Sequence, residues 1–154
     1  VLEKRKAEQF MKLKTRDFGE IEIKESDIIT FAGPIFGFEE YRRFAFLYQE
    51  DVSEVFVWLQ SVEDPQLCFI LVQPGHVLGQ YSPQIPSETE ELLGEGEYMC
   101  WLLTSLREPP EESTVNLKSP LVVNPASHKA AQLLLEGELP IRHPLFRKKE
   151  EPEC

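Results

Sequence analysis

The stretch Val55 to Val72, VFVWLQSVEDPQLCFILV, decides the fold because it consists of two apolar runs joined by an acidic corner. β-Branched and aromatic residues crowd a helix but fit a pleated surface, so each run predicts a β-strand. The corner, Ser61 to Pro65, ends in a proline that fixes its own φ and has no amide proton to donate. It therefore predicts the turn of a β-hairpin.

Both faces of this predicted hairpin are apolar. Successive side chains of a strand point to opposite faces, so Phe56 and Trp58 lie on one face and Val57 and Leu59 on the other. The second run, 67–72, is apolar on both faces in the same way. An exposed antiparallel hairpin alternates apolar and polar residues, so these strands need cover on both sides. We expect the core to cover one face, and loops, a helix or a partner protein to cover the other.

About nine short strands, separated by turn residues, are predicted along the whole chain. This spacing is typical of an antiparallel sandwich or a small barrel, and closure of a barrel removes sheet edges that would aggregate. The sequence therefore predicts an all-β fold, a small antiparallel β-barrel with one short helix. The predicted strands are 11–16, 20–23, 28–31, 44–48, 55–60, 67–72, 98–106, 114–117 and 121–124. Residues 129–135 would serve equally well as a last strand or as a helix.

The predicted helix begins at Ser87 and ends at Gly94. Ser87 and Glu90 have the spacing of a capping box, in which the serine hydroxyl and the glutamate each bond an unpaired backbone amide. The 154 residues are enough for one domain with a core of its own. We place that domain at 11–146, after an N-terminal extension at 1–10 and before a charged C-terminal tail at 147–154.

The composition predicts a globular cytoplasmic protein. Hydrophobic residues make up 42% of the chain, which is too many for general disorder. No apolar run approaches the roughly 20 residues of a membrane span, and the first residues have no signal-peptide core, so we expect no membrane contact. Cys68 and Cys100 lie within apolar runs and predict buried thiols, whereas Cys154 is in the tail.

The net charge of -11 is concentrated in one part of the chain. Between residues 50 and 113 there are thirteen acidic side chains and one basic side chain, Arg107. The acidic ones are Glu50, Asp51, Glu54, Glu63, Asp64, Glu88, Glu90, Glu91, Glu95, Glu97, Glu108, Glu111 and Glu112. Such a surface repels phosphate, which argues against direct nucleic-acid binding, and it attracts basic proteins. The alternative is that these acids serve only solubility.

The sequence does not predict catalysis, a metal site or a cofactor. His76, His128 and His143 lack cysteine or carboxylate neighbours at metal-ligand spacing. Adjacent carboxylates in a turn, such as Glu63 and Asp64, usually diverge toward solvent. A hydrolase using Glu63, Asp64 or His143 would need titratable groups that converge in one pocket.

Four blocks of sequence resemble the flagellar assembly factor family FliW. They are KLKTRDFGEIEI at 12–23, WLQSVEDP at 58–65, NLKSPLVVNP at 116–125 and PIRHPL at 140–145. Shorter matches at 27–31, 37–39 and 43–44 lie between them in the same order. The resemblance therefore covers about residues 11–145.

The resemblance implies a small β-barrel without enzymatic activity that acts in the bacterial cytoplasm. It implies two protein partners, flagellin and the basic RNA-binding dimer CsrA. Flagellin is bound first, and when flagellin is exported the protein binds CsrA and relieves repression of flagellin translation. We expect the protein to be a monomer on its own.

The predicted partner-binding residues combine acidic and aromatic side chains from three parts of the chain. They are Phe38, Glu39, Glu40, Gln60, Ser61, Glu63, Asp64, Glu108, Glu111 and Glu112. Our hypothesis is that Glu63, Asp64 and the acidic 108–112 loop supply the field that attracts CsrA. The alternative function is a small-ligand-binding barrel. A barrel filled by Phe56, Trp58, Phe69 and Trp101 packed together, without a ligand-sized void, would argue against that alternative.

Overall fold

The computed structural model describes residues 9–49, 55–77, 81 and 83–146, with the side chain of His76 left out. Eleven strands and one α-helix lie within these residues. They are β1 (Phe10–Lys14), β2 (Glu20–Lys24), β3 (Ile28–Phe31), β4 (Arg43–Leu47), β5 (Phe56–Ser61), β6 (Cys68–Val72), α1 (Glu88–Leu93), β7 (Met99–Ser105), β8 (Thr114–Val115), β9 (Leu121–Asn124), β10 (Lys129–Gln132) and β11 (His143–Pro144). Most of the predicted extension at 1–10 and all of the predicted tail at 147–154, with Cys154, lie outside the described residues. So do the acidic residues Glu50, Asp51 and Glu54.

Seven of the strands close into a barrel in the order β3, β4, β5, β6, β7, β9, β10 and back to β3. The prediction of a small β-barrel with one short helix is confirmed. The pairing is not antiparallel throughout, because β10 pairs with β3 in parallel, Ala130 facing Phe31. A closed ring with an odd number of strands cannot alternate direction at every step, so at least one parallel pair is unavoidable.

The barrel interior is filled by one face of each strand. Phe44 and Leu59 are fully buried, and Phe44 meets Phe31 edge to face with ring centroids 5.3 Å apart. Leu71, Leu121 and their neighbours belong to the same cluster. At the ~25 cal/mol per Å² of apolar surface removed from water, a single fully buried leucine or phenylalanine contributes roughly 1.5–3 kcal/mol.

The outer face of the central hairpin is covered by other parts of the chain. The β1–β2 hairpin packs Leu13 and Ile23 against β4 and β5, and Phe18 meets Trp58 edge to face at 5.0 Å. Further along, Phe56 packs against Phe146 from the C-terminal part of the domain. The prediction that both faces need cover is therefore confirmed, and a β-hairpin supplies part of that cover.

The prediction that Phe56, Trp58, Phe69 and Trp101 pack together inside the barrel is wrong. Phe69 and Trp101 face the barrel interior, whereas Trp58 lies under the β1–β2 hairpin and Phe56 lies in a third cluster. The alternation of side chains along β5 is the cause, since Phe56 and Trp58 both point out of the barrel.

The predicted capping box does not form, although the helix and its end at Gly94 are as expected. Ser87 has helical dihedral angles, φ −60° and ψ −27°, and its side chain makes no capping bond. An N-cap residue needs an extended backbone to place its oxygen over the first turn. Gly94 has φ +86°, which favours glycine, and its N–H donates to the Glu90 carbonyl at 2.8 Å.

The C-terminal strands also differ in detail from the prediction. Residues 129–132 form strand β10, which settles the choice between strand and helix, and β11 at His143–Pro144 was not predicted. β11 pairs with β8, and the Leu117 N–H donates to the Pro140 carbonyl at 3.0 Å, so the sequence blocks at 140–145 and 116–125 are in contact. Across the described part of the chain, none of the helices has the length and apolar character needed to cross a membrane.

Candidate functional site

The turn between β5 and β6 is organised by the side chain of Gln60, which is fully buried. Its Nε2 donates to the carbonyl oxygens of Ser61 and Pro65, both at 3.1 Å, and to two further carbonyls of the turn. Its Oε1 accepts the backbone N–H of Arg16 at 3.0 Å. Gln60 therefore fixes the turn and also ties it to the β1–β2 hairpin, so it has a structural role within the predicted partner-binding set.

Ser61 and Glu63 complete this turn. The Ser61 Oγ accepts the backbone N–H groups of Glu63 and Asp64, at 3.1 and 3.0 Å. The Glu63 Oε1 accepts the backbone N–H groups of Arg42 and Arg43, at 2.8 and 2.9 Å. These two N–H donors, and to a smaller extent the positive charge of the arginines, lower the pKa of Glu63. The carboxylate thus joins the β5–β6 turn to the start of β4.

Replacing Glu63 by alanine is expected to lower the free energy of unfolding by about 1 kcal/mol at neutral pH, because the bonds are charge-assisted but exposed. A carboxyl whose pKa is lowered by folding stabilises fully above its unfolded pKa of about 4.3, and this contribution is lost as the pH falls through the lower folded pKa. Urea titrations of E63A and the unmodified protein from pH 7 to pH 3 should therefore converge at the acid end. Equal differences at every pH would contradict the assignment, and E63Q, which keeps one acceptor oxygen, should retain part of the stability.

Three loops with acidic side chains lie at the same end of the barrel. Neighbouring strands from β3 to β7 are antiparallel, so the ends of β3, β5 and β7 lie beside the starts of β4 and β6. Three of the loops that leave from this end, those after β3, β5 and β7, are 32–42, 62–67 and 106–113. We call this the acidic end of the barrel.

The loop 32–42 carries exposed aromatic rings beside acidic side chains. Ile35 is 1% exposed and anchors the loop in the core, whereas Phe36 is 49% and Phe38 37% exposed. The Phe38 ring meets Phe69 edge to face at 5.0 Å. Glu39 and Glu40 are exposed next to them. The loop is therefore both anchored in the core and apolar at its surface.

The loop 106–113 presents Glu108, Glu111 and Glu112, all exposed. The buried Ser113 fixes its base, because the Ser113 Oγ accepts the backbone N–H of Arg107 at 2.9 Å. Arg107 at this loop, and Arg42 and Arg43 near Glu63, reduce the net charge of the acidic end without reversing its sign.

Two features of this end were missed by sequence reasoning. Tyr41 packs against the barrel core, and the charge of Asp64 raises the pKa of its hydroxyl, which places that hydroxyl close to the turn. Phe36 is exposed in the same loop and lies outside the predicted set. No periodicity marks either residue, because both lie in a loop whose path is set by the buried Ile35.

Two cysteines and His143 are other chemically active groups in the described part of the chain. Burial raises the pKa of both the Cys68 and Cys100 thiols to about 11, so both are protonated at neutral pH. His143 is half-buried in β11. Within residues 9–49, 55–77, 81 and 83–146, no three histidine, cysteine or acidic side chains lie together as metal ligands would.

Two cavities are lined by residues outside the loops 32–42, 62–67 and 106–113. One of about 750 Å³ is an open groove between residues 83–88 and 134–139, with Ile85 and Leu134 exposed along it. The other, of about 310 Å³, lies at the opposite end of the barrel and includes Phe46 and Trp101 among its walls. The expectation of a barrel without a ligand-sized void is therefore not met at that end.

Comparisons with known proteins agree on one family. The FliW protein family matches residues 12–145. The chain is 35% identical to the flagellar assembly factor FliW of Lachnoclostridium phytofermentans, over 94% of this chain and 100% of that protein. It is 38% identical to the FliW of Syntrophus aciditrophicus, over 91% of this chain and 90% of that protein.

A solved structure agrees with these sequence matches. The crystal structure of a flagellar assembly factor FliW superimposes with a TM-score of 0.83 at 31% identity, over 90% of this chain and 99% of that one. The similarities of sequence and of fold each cover 90% or more of this chain. The chain therefore belongs to the FliW family of flagellar assembly factors.

Proposed function

We propose that this protein binds flagellin and, when flagellin is depleted, binds CsrA and relieves its repression of flagellin translation. Membership of the FliW family supports a role in flagellar assembly. The observation that carries the proposal is the grouping of three exposed, acidic loops at one end of the barrel. On this proposal the protein acts by binding other proteins in the cytoplasm and makes no covalent bonds.

The charge of the acidic end suits CsrA as a partner. CsrA is a basic RNA-binding dimer, so acidic loops would speed its diffusional encounter with this protein. Carboxylates held near the RNA-binding surface of CsrA would also repel RNA phosphates. Binding could therefore displace RNA without covering every RNA contact.

The exposed rings of Phe36 and Phe38 supply the apolar part of the proposed contact. Aromatic side chains carry much of the energy of protein interfaces, particularly at the centre of a patch with a polar rim. Glu39 and Glu40 lie on the rim of these rings. The carboxylates of the acidic end would thus attract a basic partner at long range, and the aromatic rings would provide apolar surface for direct contact.

The hydrogen bonds in the structure show which carboxylates are suitable for testing the role of charge. Glu63 and Asp64 bond backbone N–H groups, so reversing their charges would disturb the β5–β6 turn as well as the field. Glu108, Glu111 and Glu112 are exposed, and their side chains take no part in the hydrogen bonds that hold the described loop. They are the better positions to neutralise.

The triple variant E108Q/E111Q/E112Q is expected to associate with CsrA about three- to tenfold more slowly at low salt, with a shallower dependence on ionic strength. The matched control is E88Q/E90Q/E91Q, which removes the same charge from α1 on another side of the barrel. Stopped-flow association rates at several salt concentrations measure both variants.

Equal slowing of the two triple variants would show that only net charge matters and would contradict a contact at the acidic end. The same preparations should bind monomeric flagellin in the absence of CsrA. If the unmodified protein binds neither flagellin nor CsrA at micromolar concentrations, the proposed function is wrong.

A further inference from the structure

The barrel end opposite the acidic end opens into the cavity of about 310 Å³. Its inner walls are apolar and come from the strands, with Phe46 of β4, Trp101 of β7 and Val123 of β9 among them. Its rim carries polar groups, including Asp27, Tyr48 and His128. This volume is at the lower end of the range of small-ligand pockets, which are likewise apolar with a few polar groups at fixed positions.

Aromatic rings form part of both the wall and the rim. The ring centroids of Phe46 and Trp101 lie 5.9 Å apart, and Trp101 is 3% exposed, so its position is fixed by the core. Tyr48 at the rim is 63% exposed, an unusual position for a large aromatic side chain. Aromatic faces carry negative electrostatic potential and attract cations.

Asp27 adds a formal negative charge at the rim. The pKa of Tyr48 is raised, first by burial of its hydroxyl and then by the charge of Asp27, which places the hydroxyl and the carboxylate within electrostatic reach of each other. The net charge of the chain, -11, further favours cations over anions at an open cavity.

The rim also contains a strained residue. His128 has φ +58°, a left-handed conformation that glycine adopts at lower cost. Its N–H donates to the Asn124 carbonyl at 2.9 Å and its carbonyl accepts the N–H of Thr30 at 2.9 Å, so the backbone is held firmly. These two bonds hold the backbone of His128 in place, so its imidazole lies at the mouth of the cavity.

We propose that this cavity binds a cationic group on an apolar stem, either an alkylammonium or a guanidinium. The stem packs against Phe46 and Trp101, and the cation lies between the Tyr48 ring and the Asp27 carboxylate. The ligand is either a small free amine or a basic side chain, and both present the same chemistry. The site is separate from the acidic end, so it neither requires nor tests the binding of CsrA or flagellin.

A charge series of three ring compounds tests the proposal. Benzylammonium, benzyl alcohol and benzoate share an apolar ring and differ in charge. Trp58 and Trp101 are the two tryptophans of the chain, so in W58F the fluorescence of Trp101 reports directly from the cavity wall. Benzylammonium is expected to bind about tenfold more tightly than benzyl alcohol, and benzoate more weakly than either.

Should W58F fail to fold, the Trp101 indole N–H signal of the unmodified protein gives the same titration by NMR. D27N is expected to weaken benzylammonium binding several-fold, because only the Tyr48 ring then faces the cation, and to leave benzyl alcohol unchanged. E25Q is the matched control, because Glu25 lies in the same short 3₁₀ turn, 25–27, but outside the cavity lining.

A second probe, N-acetyl-lysine methylamide, distinguishes the two sources of the cation. Tighter binding of this probe than of benzylammonium points to a basic side chain, and the reverse order points to a small amine. Equal binding of the three ring compounds, no binding of any probe, or a cation preference that D27N leaves as large as in the unmodified protein would each overturn the proposal.

Discussion

Replacing Gln60 by leucine is expected to lower the free energy of unfolding by about 3 kcal/mol. Leucine is close to glutamine in size, so the loss comes from polar groups and not from a cavity. The carbonyl groups of the β5–β6 turn lose a donor, although those of Asp64 and Leu67 keep a backbone N–H partner, and the backbone N–H of Arg16 loses its acceptor. Buried polar groups left without partners cost about 1–3 kcal/mol each, less where water can reach them.

Urea unfolding followed by tryptophan fluorescence measures this change. Gln66 provides the control, since it lies on the same turn with an exposed side chain, and Q66L should change the stability by less than about 0.5 kcal/mol. If Q60L and Q66L lower the free energy of unfolding by similar amounts, the turn does not depend on the Gln60 amide. Because the turn presents Glu63 and Asp64, we also expect Q60L to weaken any partner contact made by the acidic end.

Replacing Asn124 is expected to have an effect of similar size at the opposite end of the barrel. Asn124 is 1% exposed, and its Nδ2 donates to the Leu93 carbonyl at 2.7 Å and to the Glu95 carbonyl at 3.2 Å. Its Oδ1 accepts the backbone N–H of Ala126 at 2.9 Å. One amide therefore joins the end of α1 to the β9–β10 turn, and N124A should cost about 3 kcal/mol.

The stability of the variant N124D is expected to depend on pH in a characteristic way. A carboxylate facing backbone carbonyls is destabilised, so the pKa of the introduced Asp is expected to rise above its unfolded value of about 3.9. The folded state then holds the proton more tightly than the unfolded state. The stability of N124D relative to the unmodified protein should therefore be greatest near pH 4 and should fall as the pH rises through the folded pKa.

Thermal or urea unfolding of N124D, N124A and the unmodified protein between pH 4 and pH 8 tests this expectation. N124A should show a nearly constant deficit, whereas the deficit of N124D should grow with pH. Q84A, at an exposed position without a buried amide, is the control for the effect of substitution itself. A pH-independent deficit in N124D would show that the site is open to water.

Gln60 and Asn124 have the same role at the two ends of the barrel. Each lies at or near the carboxyl end of a strand, and each places a buried side-chain amide among the carbonyl groups of a neighbouring loop. Such loops cannot complete their hydrogen bonds within themselves, and an unpaired buried carbonyl is costly. The loops at both ends of the barrel are thus held by single side chains, which explains why small changes there should have large effects.

The sequence by itself determined most of the strands, the two buried faces of the central hairpin and the family. Alternation along a strand is a local property, so the runs at 55–60 and 67–72 predict their own burial. The same local reasoning predicted a capping box that does not form, because the dihedral angles of Ser87 depend on the path of the chain before it. It also failed for the predicted cluster of Phe56, Trp58, Phe69 and Trp101, whose members are divided between the inside and the outside of the barrel.

Only the tertiary structure decided how the barrel closes and what its ends present. The parallel contact of β3 with β10 joins segments about a hundred residues apart, and no local pattern specifies such a register. The order and direction of the paired strands bring the loops 32–42, 62–67 and 106–113 to one end, and Asp27, Tyr48 and His128 to the other. Each side chain was visible in the sequence, but its neighbours were not, since strand order sets them.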